Sequence, residues 1–274
     1  TAELLASFAG RDPRLKCIQV EEVEGALPPH QNALAQGIEA SRGEIVCTTD
    51  GDSLPGPRWV ASLVSCFVSD VGIASGYVPR SAHFLSHPRS FRAKVVDEFI
   101  RFEGFRKALW SGSAAGLGLA WGCAGANLAF RRSAFDEVGG YRELPYAVSG
   151  ADTRLMQSIV HRTRWKFQYV IAPENFVPTA PPESFRLLLR QEVRQFSSAR
   201  RFTAAMRLFY YYVHTSHQLL VAGLVVSFFS PTHRAIGLAG FAIKMAADAV
   251  FFLSGVARFR EWRFALSFPL MELA

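Results

Sequence analysis

The sequence contains few cysteines, and no two of them stand at the spacing of a metal-binding pair. Only four occur among 274 residues, namely Cys17, Cys47, Cys66 and Cys123. Isolated cysteines of this kind are typical of small buried hydrophobic side chains in a reducing compartment. Their distribution argues against disulfide cross-links and against a zinc-stabilised fold.

We expect no signal peptide, and the sequence carries no helix-turn-helix, zinc-finger or RNA-recognition signature. Its net charge of +7 is compatible with a nucleic-acid partner. However, the basic residues gather beside the apolar runs of the C-terminal third, as at Arg200, Arg201 and Arg207. That placement indicates attraction to anionic lipid rather than contact with a nucleic-acid backbone. We expect a membrane partner and no nucleic acid.

Hydrophobic residues make up 50% of the chain, and over residues 1–185 short apolar runs alternate with amphipathic segments. The strand candidates are 15–20, 45–49, 71–77 and 128–130. The helix candidates are 2–9, 32–41, 58–68 and 89–110, whereas the small, glycine-rich stretch 111–118 predicts a loop. Strands that alternate with helices predict an α/β fold with a mostly parallel sheet and helices on both of its faces.

Two aspartates follow the strand candidate at 45–49, and Pro55 then interrupts regular structure. Asp50 and Asp52 would stand at the carboxyl end of a buried strand, where ligands collect in α/β sheets. Carboxylate oxygens there suit Mg²⁺ or Mn²⁺ that bridges to a substrate diphosphate. The alternative interpretation is a polar turn, because aspartate and glycine are common turn residues.

The helix candidate at 89–110 combines aromatic and basic side chains. Phe91, Phe99, Phe102 and Phe105 recur near helical spacing among several arginines and lysines. Such a helix can lie on a membrane surface or cover the sheet of a globular domain, and the sequence favours neither interpretation.

Long apolar stretches occupy the C-terminal part of the chain. Residues 208–229 and 235–257 have the length needed to span a bilayer, and a third stretch begins at 264. Arginines before the first stretch and between the second and third predict that the globular part is cytoplasmic. Lys244 and Asp248 lie within the second stretch on one helical face, where a structural ion pair and a role toward a substrate or lipid headgroup both remain open.

Four short segments follow one another along the chain. They are 41–52, which ends in Thr49-Asp50-Gly51-Asp52; 125–141, which begins with Gly125-Ala126-Asn127; 149–152, which ends in Asp152; and 191–195, which contains Gln191 and Arg194. In that order they resemble the membrane-bound family 2 glycosyltransferases of the GT-A fold, a Rossmann-like α/β fold followed by transmembrane helices. The resemblance covers the whole chain and implies an enzyme that moves a sugar from a nucleotide-diphosphate donor to a membrane-associated lipid or polysaccharide acceptor.

The resemblance also implies roles for individual residues. They are the ligands of a divalent metal, Mg²⁺ or Mn²⁺, at Asp50 and Asp52; the catalytic base Asp152; and the substrate-binding residues Gly125, Asn127, Gln191 and Arg194. Ordinary structural interpretations stand beside these roles. Asp152 can cap the helix that follows it, Arg194 can anchor to lipid phosphates, and Asn127 can be a turn residue.

The chain departs from the family pattern at several points. Ala151 stands where a second acidic residue is common, and Gln195 replaces the tryptophan of processive synthases, so that a non-processive enzyme is expected. His30 lies near the position of a lysine that stands beside the diphosphate in relatives. The chain begins after the family's first strand and nucleotide-binding turn, and we therefore expect a fragment that is incomplete at both ends.

These observations predict a glycosyltransferase domain over 1–185, an interfacial amphipathic segment over 186–207 and a transmembrane region over 208–274. The resemblance implies an inverting, metal-dependent enzyme. The apolar stretches and the arginines beside them predict that it is multi-pass in the cell inner membrane, with its catalytic domain in the cytoplasm. Two other hypotheses remain. A catalytically degenerate membrane scaffold is indicated by Ala151 and Gln195, and a transport protein is indicated by Lys244 and Asp248.

Overall fold

The computed structural model describes residues 2–21, 27–81, 91–144, 150–182, 184–199, 203–229 and 231–272. The α-helices in these ranges are α1 Ala2–Ala9, α2 Pro29–Ala40, α3 Trp59–Val64, α4 Phe91–Gly116, α5 Arg132–Glu137, α6 Ala151–Arg162, α7 Phe185–Ala199, α8 Ala204–Phe229, α9 Pro231–Phe259 and α10 Phe264–Glu272. The strands are β1 Ile45–Thr48, β2 Val71–Gly76, β3 Leu128–Arg131 and β4 Lys166–Val170. Ser149, Arg200, Arg201 and the side chain of Gln195, which the sequence analysis used, lie outside the described residues.

The described strands form a mixed sheet rather than the mostly parallel one that the sequence predicts. Their order is β1-β3-β2-β4, and β3 runs antiparallel to both β1 and β2, while β4 runs parallel to β2. Phe130 of β3 is paired with Val46 on one side and with Ile73 on the other. A strand that is buried on both faces has the same apolar composition in either direction, so the apolar run of β3 carries no signal of its reversal.

Helices cover both faces of the sheet. One core contains the fully buried side chains of Leu128, Phe130 and Leu155 and joins β3 to α6. A second core contains Trp59 and Leu63 of α3, which pack against the small residues of the opposite face. Alternate residues of a strand point to opposite faces, and β3 therefore contributes to both cores.

Two predicted segments differ in the structure. Residues 15–20 are not a strand, and the small residues 111–116 continue α4 instead of forming a loop. Close packing accounts for the helical conformation of residues 111–116. A Cβ on Gly112 would lie 3.3 Å from side-chain atoms of both Tyr169 and Ile171, so the small residue lets α4 approach the end of β4.

The sequence left open whether the aromatic helix lies on a membrane surface or covers the sheet, and the structure answers this for part of the helix. Phe102, Phe105 and Leu109 of α4 are buried, and Phe105 packs edge-to-face against Phe259 of α9 with ring centroids 5.5 Å apart. These rings therefore face neighbouring helices and strands of the protein. Val95, nearer the start of α4, is 49% exposed.

From residue 203 onward, the described residues form the three helices α8, α9 and α10. Among the described residues, Pro231–Phe259 is long and apolar enough to cross a membrane, and only 6% of its apolar window is buried. This helix, α9, contains the predicted span 235–257. The neighbouring helix is strongly apolar only over Thr215–Phe229, so the predicted spans at 208–229 and from 264 stay predictions. Lys244 and Asp248 form the predicted ion pair within α9.

Candidate active site

A large cavity opens at the edge of the sheet where β1 and β2 end. Its volume is about 1520 Å³. Because β3 runs in the opposite direction, its beginning reaches the same edge, and the turn Gly125–Asn127 stands beside the aspartates that follow β1. The cavity brings together six of the seven predicted site residues, namely Asp50, Asp52, Gly125, Asp152, Gln191 and Arg194.

Backbone and hydroxyl hydrogen bonds hold the two aspartates in a defined turn. The amide of Ser53 donates to the carbonyl of Asp50 at 3.1 Å, which closes the turn. The hydroxyl of Thr179 donates to the carbonyl of Asp52 at 3.3 Å. The hydroxyl of Thr49 donates to the carbonyl of Ala126 at 2.9 Å, so that the turn is also tied to the segment that begins β3.

The charges at this turn favour a bound cation. Burial raises the pKa of Asp50, and the neighbouring charge of Asp52 raises it further, whereas His30 and Arg80 lower it. A divalent ion would relieve the repulsion between the two carboxylates. Within the described ranges no group of three or more histidine, cysteine or acidic residues forms a complete metal cage. Two carboxylates nevertheless fit Mg²⁺, which is usually held by one or two carboxylates together with water and substrate phosphates.

Asp152 lies in the first turn of α6 but does not cap the helix. The N-cap position is occupied by Gly150, in a left-handed conformation with φ of 74°, and no side chain provides a cap hydrogen bond. The carboxylate of Asp152 accepts a hydrogen bond from the hydroxyl of Tyr141 at 3.4 Å. Burial raises the pKa of Asp152, with a smaller contribution from Asp50, while His30 and the Tyr141 hydrogen bond oppose the rise. A carboxylate with a raised pKa is suited to accept a proton.

Gly125 allows Asp152 to reach the cavity. An ideal Cβ on Gly125 would lie 2.9 Å from Cγ of Asp152 and nearer still to Oδ2. Any side chain at position 125 would therefore displace the carboxylate. The contact gives a physical reason for glycine at this position, which the sequence indicated only through the motif.

Asn127 is not among the residues that line the cavity, so the structure does not bring it together with the other six, and its role in substrate binding stays a prediction. The side chain is fully buried. Its Oδ1 accepts a hydrogen bond from Trp59 Nε1 at 2.9 Å, and its Nδ2 donates to the carbonyls of Asn175 and Tyr77 at 2.7 and 3.1 Å. Buried amides are stable only when they are hydrogen-bonded in this way. Asn127 therefore fixes the start of β3 relative to α3 and β2.

Gln191 and Arg194 reach the cavity from α7. This helix is joined to α4 by an ion pair between Lys107 and Glu192, whose Nζ and Oε1 atoms lie 2.7 Å apart. Arg194 also borders a second, outer cavity of about 400 Å³, together with Arg190 and Val193. Arg194 therefore lines both cavities, and the structure is compatible with either of its predicted roles.

Several residues that line the cavity were not predicted. Arg80 follows the end of β2, and Trp121, His217 and Gln218 lie at other parts of the wall. The sequence signal for Arg80 was a single cation shortly after an apolar run. His217 and Gln218 were visible only as polar interruptions of an apolar stretch, and nothing in the sequence related them to the aspartates.

Comparison with known proteins identifies a family. A family model described as "Glycosyl transferase family 21" matches residues 2–274. Among solved structures, a mannosyltransferase from Pyrobaculum calidifontis in complex with GDP-Man and Mn²⁺ is similar, with 21% sequence identity and a TM-score of 0.51. The alignment covers 100% of this chain and 73% of that one. At this identity the likeness shows the fold alone. No curated protein matches the sequence.

Proposed function

The chain belongs to glycosyl transferase family 21, and from this premise we propose that the cavity transfers a sugar from a nucleotide donor to a hydroxyl group of a membrane-associated acceptor. The prediction of a glycosyltransferase is confirmed by the family match and agrees with the fold of the structural neighbour. The family that matches is family 21, so the more specific prediction of family 2 is not confirmed.

One observation supports the proposal above all others. Asp50, Asp152 and Arg194, which are far apart in the sequence, line one cavity. In the proposed reaction the acceptor hydroxyl oxygen bonds to the anomeric carbon of the sugar, and the bond from that carbon to the diphosphate breaks. The nucleoside diphosphate leaves with the electron pair, and the hydroxyl proton passes to the carboxylate of Asp152.

The leaving diphosphate needs positive charge beside it. The carboxylates of Asp50 and Asp52 would hold a divalent cation, which when bound supplies Lewis-acid stabilisation of the departing oxygen. The structural neighbour contains GDP-Man and Mn²⁺, which supports such a cation. Arg194 would add a planar donor to the phosphates, and Gln191 a neutral one.

The remainder of the cavity wall supports a lipid acceptor. Met206, Val221 and Ala222 of α8 and Met271 of α10 line it. These apolar side chains can contact a hydrocarbon chain while the acceptor hydroxyl approaches Asp152. The outer side of α7 exposes Leu189 and Val193 beside its arginines, which supports an interfacial segment at 186–207. The helix α9 would serve as a membrane anchor. The cell inner membrane and a cytoplasmic catalytic domain are proposed from the placement of the arginines beside the apolar stretches. A non-processive, inverting reaction rests on the family resemblance.

The proposal is tested by turnover. The full-length protein in native-like membranes would be incubated with a panel of UDP- and GDP-sugars and Mn²⁺, with measurement of released nucleoside diphosphate and mass spectrometry of the lipids. We expect at least one donor to yield a glycosylated lipid. Absence of any transfer, with donor hydrolysis also absent, would instead support the catalytically degenerate scaffold.

The Gly125→Ala variant should lose activity through displacement of Asp152. The methyl group would overlap the carboxylate, and misplacing a catalytic group by about 1 Å can cost roughly 100-fold in rate. We expect kcat to fall by a factor of about 10 to 100 while the KM for the donor changes little. The matched control is Gly37→Ala, because a Cβ at that position in α2 would meet no atom within 4 Å. Equal kcat values for the two variants would contradict the role assigned to Gly125.

A further inference from the structure

Arg80 is a cation held in the wall of the cavity by two other segments of the protein. Its side chain is half-buried and lines the cavity. One guanidinium N–H donates to the carbonyl of Ala180 at 3.1 Å. Its Cγ packs over Gly104 of α4, where an added Cβ would lie 3.6 Å away. The position of the guanidinium is therefore set by β2, α4 and the 179–182 segment together.

The carboxylates that face Arg80 come from two sides of the cavity, namely the turn after β1 and helix α7. Burial lowers the pKa of its guanidinium, while Asp52, Glu192 and Asp50 oppose the shift. The guanidinium nevertheless remains protonated, because the ordinary pKa of arginine lies far above neutral pH. Among the described residues no carboxylate lies within 4.0 Å of its guanidinium nitrogens, whereas Arg106 and Lys107 on the same wall are paired with Glu103 and Glu192.

We propose that Arg80 binds the diphosphate of the nucleotide-sugar donor, as a fixed cation beside the site of Asp50 and Asp52. This inference rests on the proposed function. The planar guanidinium can bind two phosphate oxygens at once, and its rigid placement lowers the entropy cost of that contact. Arg194 would approach the same group from α7, so that the diphosphate is contacted from two elements of the fold.

A second explanation for the position of Arg80 is that it only neutralises the two aspartates. The two explanations differ in a measurable way. A diphosphate-binding arginine affects the affinity for nucleoside diphosphates and leaves the affinity for nucleosides unchanged. A counter-ion of the aspartates affects the affinity for Mn²⁺ itself, because its removal leaves the carboxylates more available to the metal.

The test compares Arg80→Met with Arg80→Lys in the full-length protein. Calorimetry would give Kd values for UDP and GDP in the presence of Mn²⁺, for uridine and guanosine, and for Mn²⁺ alone. We expect Arg80→Met to weaken diphosphate binding at least about tenfold, because it removes charged hydrogen bonds to the phosphates, and Arg80→Lys to weaken it less, because it keeps the charge. The control is Arg58→Met, because Arg58 does not line the cavity and is paired with Glu174 at the surface.

Two outcomes would overturn the inference without affecting the proposed function. One is diphosphate affinity equal to that of wild type in both Arg80 variants. The other is an increase in Mn²⁺ affinity that accounts for any change seen with UDP or GDP. If the wild-type protein itself bound neither diphosphate and transferred no sugar, the proposed function would fail together with the inference. Arg80→Lys keeps the test informative if the methionine variant does not fold.

Discussion

The Asp52→Asn variant is expected to lose metal-dependent sugar transfer. The amide has nearly the same shape as the carboxylate but carries no charge, so one of the two anionic ligands of the proposed cation disappears. The turn itself should persist, because Thr179 binds the backbone carbonyl of Asp52 and not its side chain. Loss of one strong electrostatic contact to the developing charge typically lowers kcat by about 100- to 1,000-fold. Initial rates at a series of Mn²⁺ concentrations would measure the effect.

A matched control is available at the opposite end of the sheet. Asp70 precedes β2 and is paired with Lys166 on the surface, with 2.6 Å between the two charged atoms. Exposed ion pairs contribute only about 0–1 kcal/mol to stability, so Asp70→Asn should keep nearly full activity and the same Mn²⁺ dependence. If Asp52→Asn retained the wild-type response to Mn²⁺, a metal site at Asp50 and Asp52 would be excluded.

Much of the architecture was predictable because local patterns determine local structure. The apolar runs that became β1, β2 and β3 were recognised, as was the amphipathic helix that became α4. The direction of β3 was not, since pairing depends on contacts between segments that are distant in the chain. The end of α4 was wrongly predicted to be a loop, because there too the deciding contacts are with residues distant in the chain. Its small residues permit close approach to Tyr169 and Ile171, and that contact exists only in three dimensions.

The candidate site likewise has a part that was predictable from the sequence and a part that was not. The segments around Asp50, Gly125, Asp152 and Gln191 were singled out by residue type and order, and the structure brings them to one cavity. Asn127 is the one predicted site residue that does not line the cavity, because an asparagine in a motif does not reveal whether its amide faces a substrate or the protein interior. Arg80 was overlooked because a single arginine after an apolar run does not by itself indicate a site, and the carboxylates that surround it are brought together only by the fold.

The Asp152→Asn variant is expected to remove the general base and with it most of the catalytic rate. The neutral amide cannot accept the proton of the acceptor hydroxyl, and general-base catalysis typically contributes a factor of about 100 to 10,000. Donor binding should be largely retained, so the loss should occur in kcat and not in the donor KM. Asp136→Asn is a suitable control, since Asp136 is an exposed aspartate on α5.

The pH dependence of the wild-type enzyme provides an independent test of the same base. Asp152 must be ionised to act, so kcat/KM should fall as the pH is lowered through its pKa. Burial raises this pKa, as does the charge of Asp50, while His30 and the Tyr141 hydrogen bond lower it. The acidic limb should therefore lie above the ordinary aspartate value of about 3.9. Tyr141→Phe removes one opposing contact and should move the limb to higher pH. An acidic limb that is unchanged by Tyr141→Phe, together with an active Asp152→Asn enzyme, would assign the base to another residue.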